Sequence, residues 1–215
     1  QIWYLISIGI YLLRQKSIFT IKHRLKSVWR TRIDASEMSS LVRNFKFSGP
    51  DPSRFVNESD EYLTYNYSVE YLKQVFYEDD FDRGSVSIWI EKRLGDLIRK
   101  NLCAQYEILH IWIYKTPVIE SKETFNLNSK FHKDGDQPGS LKCLVYLSDV
   151  DESSGPFQYK VKDKTHTVIG AAGETIFFKR FVPHAGSNVK KTDRYALSVL
   201  CYPTTAKEPI LLTNK

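Results

Sequence analysis

The sequence predicts an α+β protein that is mainly β: a double-stranded β-helix, that is, a jelly roll of cupin-like form, with N-terminal helices packed on one sheet. Three observations predict it. Before about residue 103, apolar residues recur at helical spacing. From Gln105 the period changes, and Tyr106 to Tyr114 is an apolar, β-rich run suited to a core strand. Beyond Phe131, short strand-like segments follow one another with turns between them and stop at Pro203. The 215 residues suffice for one domain with a sizeable core. They divide into an N-terminal arm, 1–33, and a single domain, 34–215, with a helical part over 34–103 and a jelly-roll core over 104–203.

The arm is apolar first and basic afterwards. Ile2 to Leu13 is interrupted only by Ser7 and Gly9, and falls short of the ~20 residues a helix needs to span a bilayer. Arg14, Lys16, Lys22, Arg24, Lys26, Arg30 and Arg32 follow, with no acid before Asp34. The net charge of +6 is therefore a property of the arm, and the body is near neutral. No nucleic-acid partner is expected. A secretory signal fits badly, because the cations follow the apolar run. Two readings stay open: peripheral contact with an anionic membrane surface, or a first helix packed on the core with a solvated basic follow-on. Gln1 is not an initiator methionine, so further residues are expected upstream.

Asp34-Ala-Ser-Glu opens a short helix to about Phe45, with acids in its first turn. Phe47 to Phe55, with two prolines and a glycine, is a loop. Ser59-Asp-Glu starts a helix to about Tyr77, with Tyr62, Tyr65, Val69, Leu72 and Phe76 as its apolar face. The acidic stretch Glu78 to Asp82 is a linker. A further helix runs from Ser85 to about Asn101, burying Ile88, Trp89, Leu94, Leu97 and Ile98. His110, inside the Tyr106–Tyr114 strand, reads as a packed core histidine. Pro117 to Asn128 is a loop, and further strands are expected over 142–147, 157–161, 165–169, 175–178 and 195–202. Cys103, Cys143 and Cys201 lie far apart and read as buried free thiols, neither a disulfide framework nor a zinc site. A reducing, cytoplasmic setting is expected, with membrane association if the arm provides it.

The chemistry concentrates between Phe131 and Tyr202. On an extended segment His132 and Asp134 share a face, while Lys133 turns away. His184 supplies a second imidazole from a later strand. Two histidines and one carboxylate around a metal with open positions is the arrangement of non-haem Fe(II) oxygenases. Arg194, across the turn Ala185 to Asp193, offers a guanidinium that grips a carboxylate in a fixed bidentate geometry. Taken singly, each residue has a plainer reading. His132 and Asp134 could form a surface turn pair before Gly135 and Asp136, and Arg194 could be a salt-bridge partner of Asp193 or Glu174. His166, in a lysine-rich hairpin, reads as a surface histidine, and Tyr114 and Phe131 as packing residues.

His132-x-Asp134, His184 and Arg194 ten residues later resemble the Fe(II)/2-oxoglutarate oxygenases. The flanking Leu141–Val150 strand, Gly155-Pro156-Phe157, Gly173-Glu174-Thr175 and Pro183-His184-Ala185-Gly186-Ser187-Asn188 resemble the phytanoyl-CoA dioxygenase-like branch. The resemblance covers about the C-terminal half. It implies Fe(II) on His132, Asp134 and His184, and 2-oxoglutarate as cosubstrate, its far carboxylate on Arg194. Ser187 and Lys115, with Asn188, are weaker candidates for further cosubstrate contacts. It implies a dioxygenase that consumes O₂, releases succinate and CO₂, and hydroxylates a small or a lipid- or carbohydrate-linked substrate. Related halogenases carry a small residue in place of Asp134, so hydroxylation is the default, although desaturation and ring closure use the same ligands. Gln158 to Thr167 departs from the Pro-Gly-Ser-His stretch of many relatives, which leaves the substrate open. Two further readings compete: a non-catalytic jelly-roll binding module, and a cupin-type metalloenzyme such as a sugar isomerase or epimerase. The intact four-residue set argues against the first, and the second has no need of Arg194.

Overall fold

Strand period and a single bulge decide which side chains face which layer. The computed structural model describes residues 27–43, 76–77, 81–116, 118, 131–136 and 138–213. The elements run β1 (Val28–Arg32), α1 (Ser36–Arg43), β2 (Phe76–Tyr77), α2 (Arg83–Leu102), β3 (Gln105–Thr116), β4 (Leu141–Tyr146), β5 (Phe157–Val161), β6 (Lys164–Val168), β7 (Glu174–Lys179), β8 (His184–Gly186) and β9 (Arg194–Thr204). A large antiparallel sheet has the order β1-β7-β4-β9-β3-β2, and a small one the order β6-β5-β8. Together they form the expected jelly roll.

Helix α2 is capped by the Asp82 carboxylate, which accepts from the Ser85 amide at 3.0 Å, and it ends where Cys103 turns left-handed at φ 56°. Val86, Ile90, Leu94, Ile98 and Leu102 recur every four residues, and all are buried against the large sheet. Ile88 was expected in that stripe but is 64% exposed, because two residues from Val86 is the opposite side of a helix. Leu97 is half-buried. Replacing the wholly buried Leu94 with Ala should lower unfolding free energy by about 2–5 kcal/mol, read from urea midpoints.

β3 carries a bulge between Ile108 and His110. Tyr106 and Ile108 pack with the helices before it, and Ile111 and Ile113 after it. The extra residue, Leu109, rephases the alternation. His110, Trp112, Tyr114 and Thr116 therefore turn to the inner face of the large sheet, opposite Leu200, Ser198, Ala196 and Arg194 of β9. His110 is thus exposed at the end of the inner face, stacked on Trp112 at 5.1 Å, and is not the packed core histidine the apolar run predicted.

Two cores result. The outer one lies between the helices and the large sheet. The inner one, between the sheets, holds Leu144, Tyr146, Phe157, Val168, Ile176 and Phe178. Cys103, Cys143 and Cys201 are buried free thiols, and burial raises the pKa of Cys143 and Cys201 well above the ordinary thiol range.

Val28–Arg32, placed in the arm by its charge, is the edge strand of the large sheet. Trp29 stacks on Phe177 at 5.2 Å, and Arg30 pairs with Glu174 at 2.7 Å. Of the helix expected over 59–77, all but Phe76–Tyr77 lies outside the described residues, and those two pair with β3 as a strand. The apolar run Ile2–Leu13 and most of the Pro117–Asn128 loop also lie outside them. Among the described residues, no helix is long and apolar enough to cross a membrane.

Candidate metal centre

His132 joins the small sheet through one bridge, His132 N to His184 O at 3.0 Å and His184 N to His132 O at 2.9 Å. The two imidazoles therefore stand side by side, with ring centroids 4.4 Å apart. Beyond that bridge the chain is extended without regular pairing, and Asp134 returns to the same side. The ligand atoms of His132, Asp134 and His184 all lie within 4.8 Å of one another. The surface-turn reading of His132 and Asp134 is thereby replaced.

Each ligand is prepared by its surroundings. His184 is buried between Phe157 (5.5 Å) and Phe178 (4.7 Å). Its Nδ1 lies 3.0 Å from the Val182 carbonyl, which fixes Nδ1 as the donor and leaves the Nε2 lone pair, 3.6 Å from Asp134 Oδ2, for a cation. Burial pushes the His184 pKa down, more strongly than Asp134 raises it, so the ring is held neutral at pH 7. Asp134 Oδ2 is buried without a hydrogen-bond partner. The Lys142 ammonium, 3.0 Å away, balances its charge, and a buried carboxylate oxygen beside two imidazoles is also placed to bind a cation directly. A divalent metal fits this donor set, whose ligand atoms already converge. Two imidazoles and one carboxylate suit Fe(II).

Arg194 is the second feature. It is 8% exposed at the start of β9, on the inner face. One Nη donates to the Gly155 carbonyl and the other to Thr116 Oγ1 at 3.2 Å, while Nε is buried without an acceptor. The acids once considered as partners are committed elsewhere, Asp193 to Lys115 at 2.7 Å and Glu174 to Arg30. Among the described residues no carboxylate pairs with Arg194. A buried guanidinium without a counter-ion costs several kcal/mol, so the position calls for an anion. Gly155, whose carbonyl aims the guanidinium, has φ +71°, and a Cβ there would meet the Ser187 carbonyl at 2.5 Å. Gly155→Ala should cost roughly 1–3 kcal/mol in stability, as strained positions do, and loosen Arg194. Urea midpoints and anion affinity of that variant check both effects.

The remaining candidates separate. Ser187 borders this anchor, its amide donating to Pro156 O at 3.0 Å. Lys115 is paired in register with Tyr195, one residue out of phase with Thr116 and Arg194, and so lies on the other face of the sheet. There it is held by Asp193. That placement turns it away from the inner face on which Arg194 lies. His166 is exposed and stacks on Tyr159 at 4.9 Å, as expected of a hairpin histidine. The Phe131 ring lies 4.3 Å below the Lys160 ammonium.

Sequence reasoning missed Lys142 and Asp136. Lys142 Nζ is 3.0 Å from Asp134 Oδ2 and 3.6 Å from Asp136 Oδ2. The signal was available: in Leu141–Tyr146, Lys142 has the parity of Leu144 and Tyr146, which makes it an inward lysine. A surface hollow between β1 and α1, lined by Arg32, Ser36, Ser39 and Arg43 among others, includes none of these residues.

No protein-family model matches this sequence, and no curated protein does. Solved structures do match by shape. The non-haem α-ketoglutarate-dependent carbocyclase SnoK from nogalamycin biosynthesis aligns with TM-score 0.54 at 12% identity, over 93% of this chain and 94% of its own. HygX from Streptomyces hygroscopicus, with nickel and 2-oxoglutarate bound, aligns with TM-score 0.54 at 10% identity, over 88% and 92%. EctD from S. alaskensis, with 2-oxoglutarate and 5-hydroxyectoine, aligns with TM-score 0.58 at 12% identity, over 88% and 80%. The fold is that of the Fe/2-oxoglutarate-dependent oxygenases. In this chain the oxygenase fold brings His132, Asp134 and His184 to one point and leaves Arg194 on the inner face of the large sheet.

Proposed function

We propose that this protein is an Fe(II)- and 2-oxoglutarate-dependent dioxygenase, similar to the phytanoyl-CoA dioxygenase-like branch, that hydroxylates a small or a lipid- or carbohydrate-linked substrate. The observation that carries the reading is the pairing of a His–Asp–His cluster with a buried guanidinium that no carboxylate among the described residues pairs, on the inner face of the jelly roll. A plain metal-binding cupin has no use for the second feature.

His132, Asp134 and His184 would hold Fe(II). Bound there with 2-oxoglutarate, Fe(II) supplies O₂ activation that turns the cosubstrate into succinate and CO₂ and oxidises a substrate C–H bond. The chain's own residues do the rest. The Val182 carbonyl holds the His184 Nδ1 proton and so keeps Nε2 free. Phe157 and Phe178 exclude water from that ring. Arg194, aimed by the Gly155 carbonyl and Thr116 Oγ1, holds the far carboxylate of the cosubstrate, beside Ser187. Tyr146 donates to Val168 O at 2.9 Å and accepts from the Phe157 amide at 2.8 Å, tying the large sheet to the strand that carries Phe157.

The test is a succinate-release screen over carbohydrates, lipids, amino acids and acyl carriers with Fe(II) and 2-oxoglutarate. Succinate formation that depends on both and rises with one substrate class supports the reading. Metal binding with no succinate under any condition moves the isomerase or epimerase reading to first place.

The arm is the second proposal. With β1 tied into the sheet and Arg30 engaged by Glu174, contact with an anionic membrane would fall to the residues before Ser27, which lie outside the described residues. Each cation near such a surface contributes about 1 kcal/mol, weakened by salt. Sedimentation with anionic vesicles should show binding that high salt reverses. Equal binding to neutral vesicles, or no binding at all, would sink the proposal.

A further inference from the structure

We infer that Arg180 is a positioning residue for the metal centre: its guanidinium holds the segment that carries His132 and Asp134 in the ligating arrangement before a metal binds. The inference rests on the metal centre of the reading above, not on its cosubstrate.

The three ligands are not equally supported by the backbone. His184 opens β8, whose three residues all pair with β5. His132 is tied to His184 by the two hydrogen bonds of a single bridge. Asp134, two residues on, belongs to no strand. Among the described residues, one hydrogen bond reaches the backbone of 133–136. Its donor is Arg180 Nη1 and its acceptor the Asp136 carbonyl. Packing adds little at Gly135, where an added Cβ would meet nothing within 4 Å. The main chain around Asp134 is thus held on one side by the His132 bridge and on the other by Arg180. Without the second hold, the dihedrals of Asp134 and Gly135 regain freedom, those of the glycine most of all.

The turn that carries Arg180 is itself well anchored. Lys179, the last residue of β7, is in register with Leu141 of β4, and its amide donates to Ser27 O at 3.2 Å. The Val182 amide donates to Lys179 O at 2.9 Å, and the Pro183 carbonyl accepts from the Lys160 amide at 2.8 Å. Val182 is buried. This one turn serves all three ligands. The Val182 carbonyl orients the His184 ring through Nδ1, and Arg180 holds the segment of the other two. The plainer reading, a surface arginine engaged in an ion pair, does not fit. Arg180 is half-buried, and among the described residues no carboxylate pairs with it. The Asp136 carboxylate faces Lys142 instead, at 3.6 Å. What Arg180 engages is a backbone carbonyl, and a charged donor makes the stronger kind of hydrogen bond to it. Metal ligands have to sit within about 0.5 Å of the productive geometry. A segment ordered in advance loses no further freedom when the metal arrives, which favours binding.

The test uses the full chain, first metal-free and then titrated with Co(II), whose visible absorption bands report coordination geometry. The parent is compared with Arg180→Met, which keeps an apolar stem, and with Arg180→Lys, which keeps a charged donor. In metal-free Arg180→Met, the His132 and His184 amides bonded across the bridge should exchange hydrogen faster, while amides of β4 and β7 keep the parental rate. Co(II) affinity should fall by roughly ten- to a hundredfold, the usual effect of losing an outer-shell partner of a metal site. The spectrum of the saturated variant should differ from that of the parent. Arg180→Lys should restore most of the affinity and the parental spectrum. Parental Co(II) affinity in Arg180→Met overturns the inference. So does faster exchange spread evenly over both sheets, which would make Arg180 a general support of the fold, and so does a loss that Arg180→Lys shares in full. The oxygenase reading is judged separately, by whether 2-oxoglutarate gives the anaerobic Fe(II) parent a metal-to-ligand charge-transfer band. Neither answer alters the Co(II) comparison.

Discussion

Asp134→Ala should abolish succinate formation and weaken divalent-metal binding by roughly a hundredfold or more, while the protein stays folded. Loss of an outer-shell partner already costs about 10–100-fold in metal affinity, and Asp134 is placed to be a ligand itself. The fold should tolerate the change. Asp134 belongs to no regular strand, and its Oδ2 makes no hydrogen bond that the core would lose. Lys142 keeps Asp136 as a carboxylate neighbour. Metal titration and thermal melting on the same sample separate the effects. A variant that melts like the parent but no longer binds Fe(II) confirms the ligand role. Full iron binding and turnover in Asp134→Ala would remove the carboxylate from the centre, and the assignment with it.

How much of this was legible in the sequence depends on which physical signal each residue gives. The convergence of His132, Asp134 and His184 was legible because part of its pattern is local. A histidine and an aspartate two apart on extended chain must face the same way, and little else explains His184 and Arg194 at their spacing. The strands of the C-terminal half followed from alternation, their ends moving by one or two residues, except that the segment of His132 and Asp134 makes a single bridge in place of a strand. What failed were positions where parity or charge misled. The bulge at Leu109 reverses the phase of β3, and no composition rule announces it, so His110 went to the wrong layer. Lys115 and Thr116 differ by one residue and lie on opposite faces; the tempting lysine was the outward one. Arg30 and Arg32 made β1 look like a solvated arm. An edge strand accommodates such residues at its margin, and Glu174 lies waiting for Arg30. Lys142 escaped notice because a lysine in a strand is ordinarily assigned to solvent, yet its neighbours Leu144 and Tyr146 had already fixed which side is in.

Arg194→Lys should be far from conservative. The guanidinium uses one Nη on the Gly155 carbonyl and the other on Thr116 Oγ1, with Nε buried and unused. These fixed contacts orient the planar group before any ligand arrives. A lysine ammonium is a point charge on a flexible stem and cannot both keep the two protein contacts and present parallel donors to a carboxylate. A hydrogen bond to a charged group contributes on the order of 1.5–3 kcal/mol, so 2-oxoglutarate affinity should fall by roughly ten- to over a hundredfold. Iron affinity should hardly change, because Arg194 is outside the ligand cluster. Burial adds a second expectation. A lysine that fails to find an anion at this 8% exposed position has the option of losing its proton, which arginine lacks. The affinity of Arg194→Lys for 2-oxoglutarate should therefore weaken further as pH rises from 7 to 9, while that of the parent stays level. Anaerobic titration of 2-oxoglutarate into the Fe(II) protein at both pH values, followed by the charge-transfer absorbance, reads both effects. If Arg194→Lys titrates like the parent at both, the far carboxylate is held elsewhere. The buried guanidinium would then be left with its two protein contacts as its whole role, and the strongest support for a 2-oxo acid in this fold would be gone.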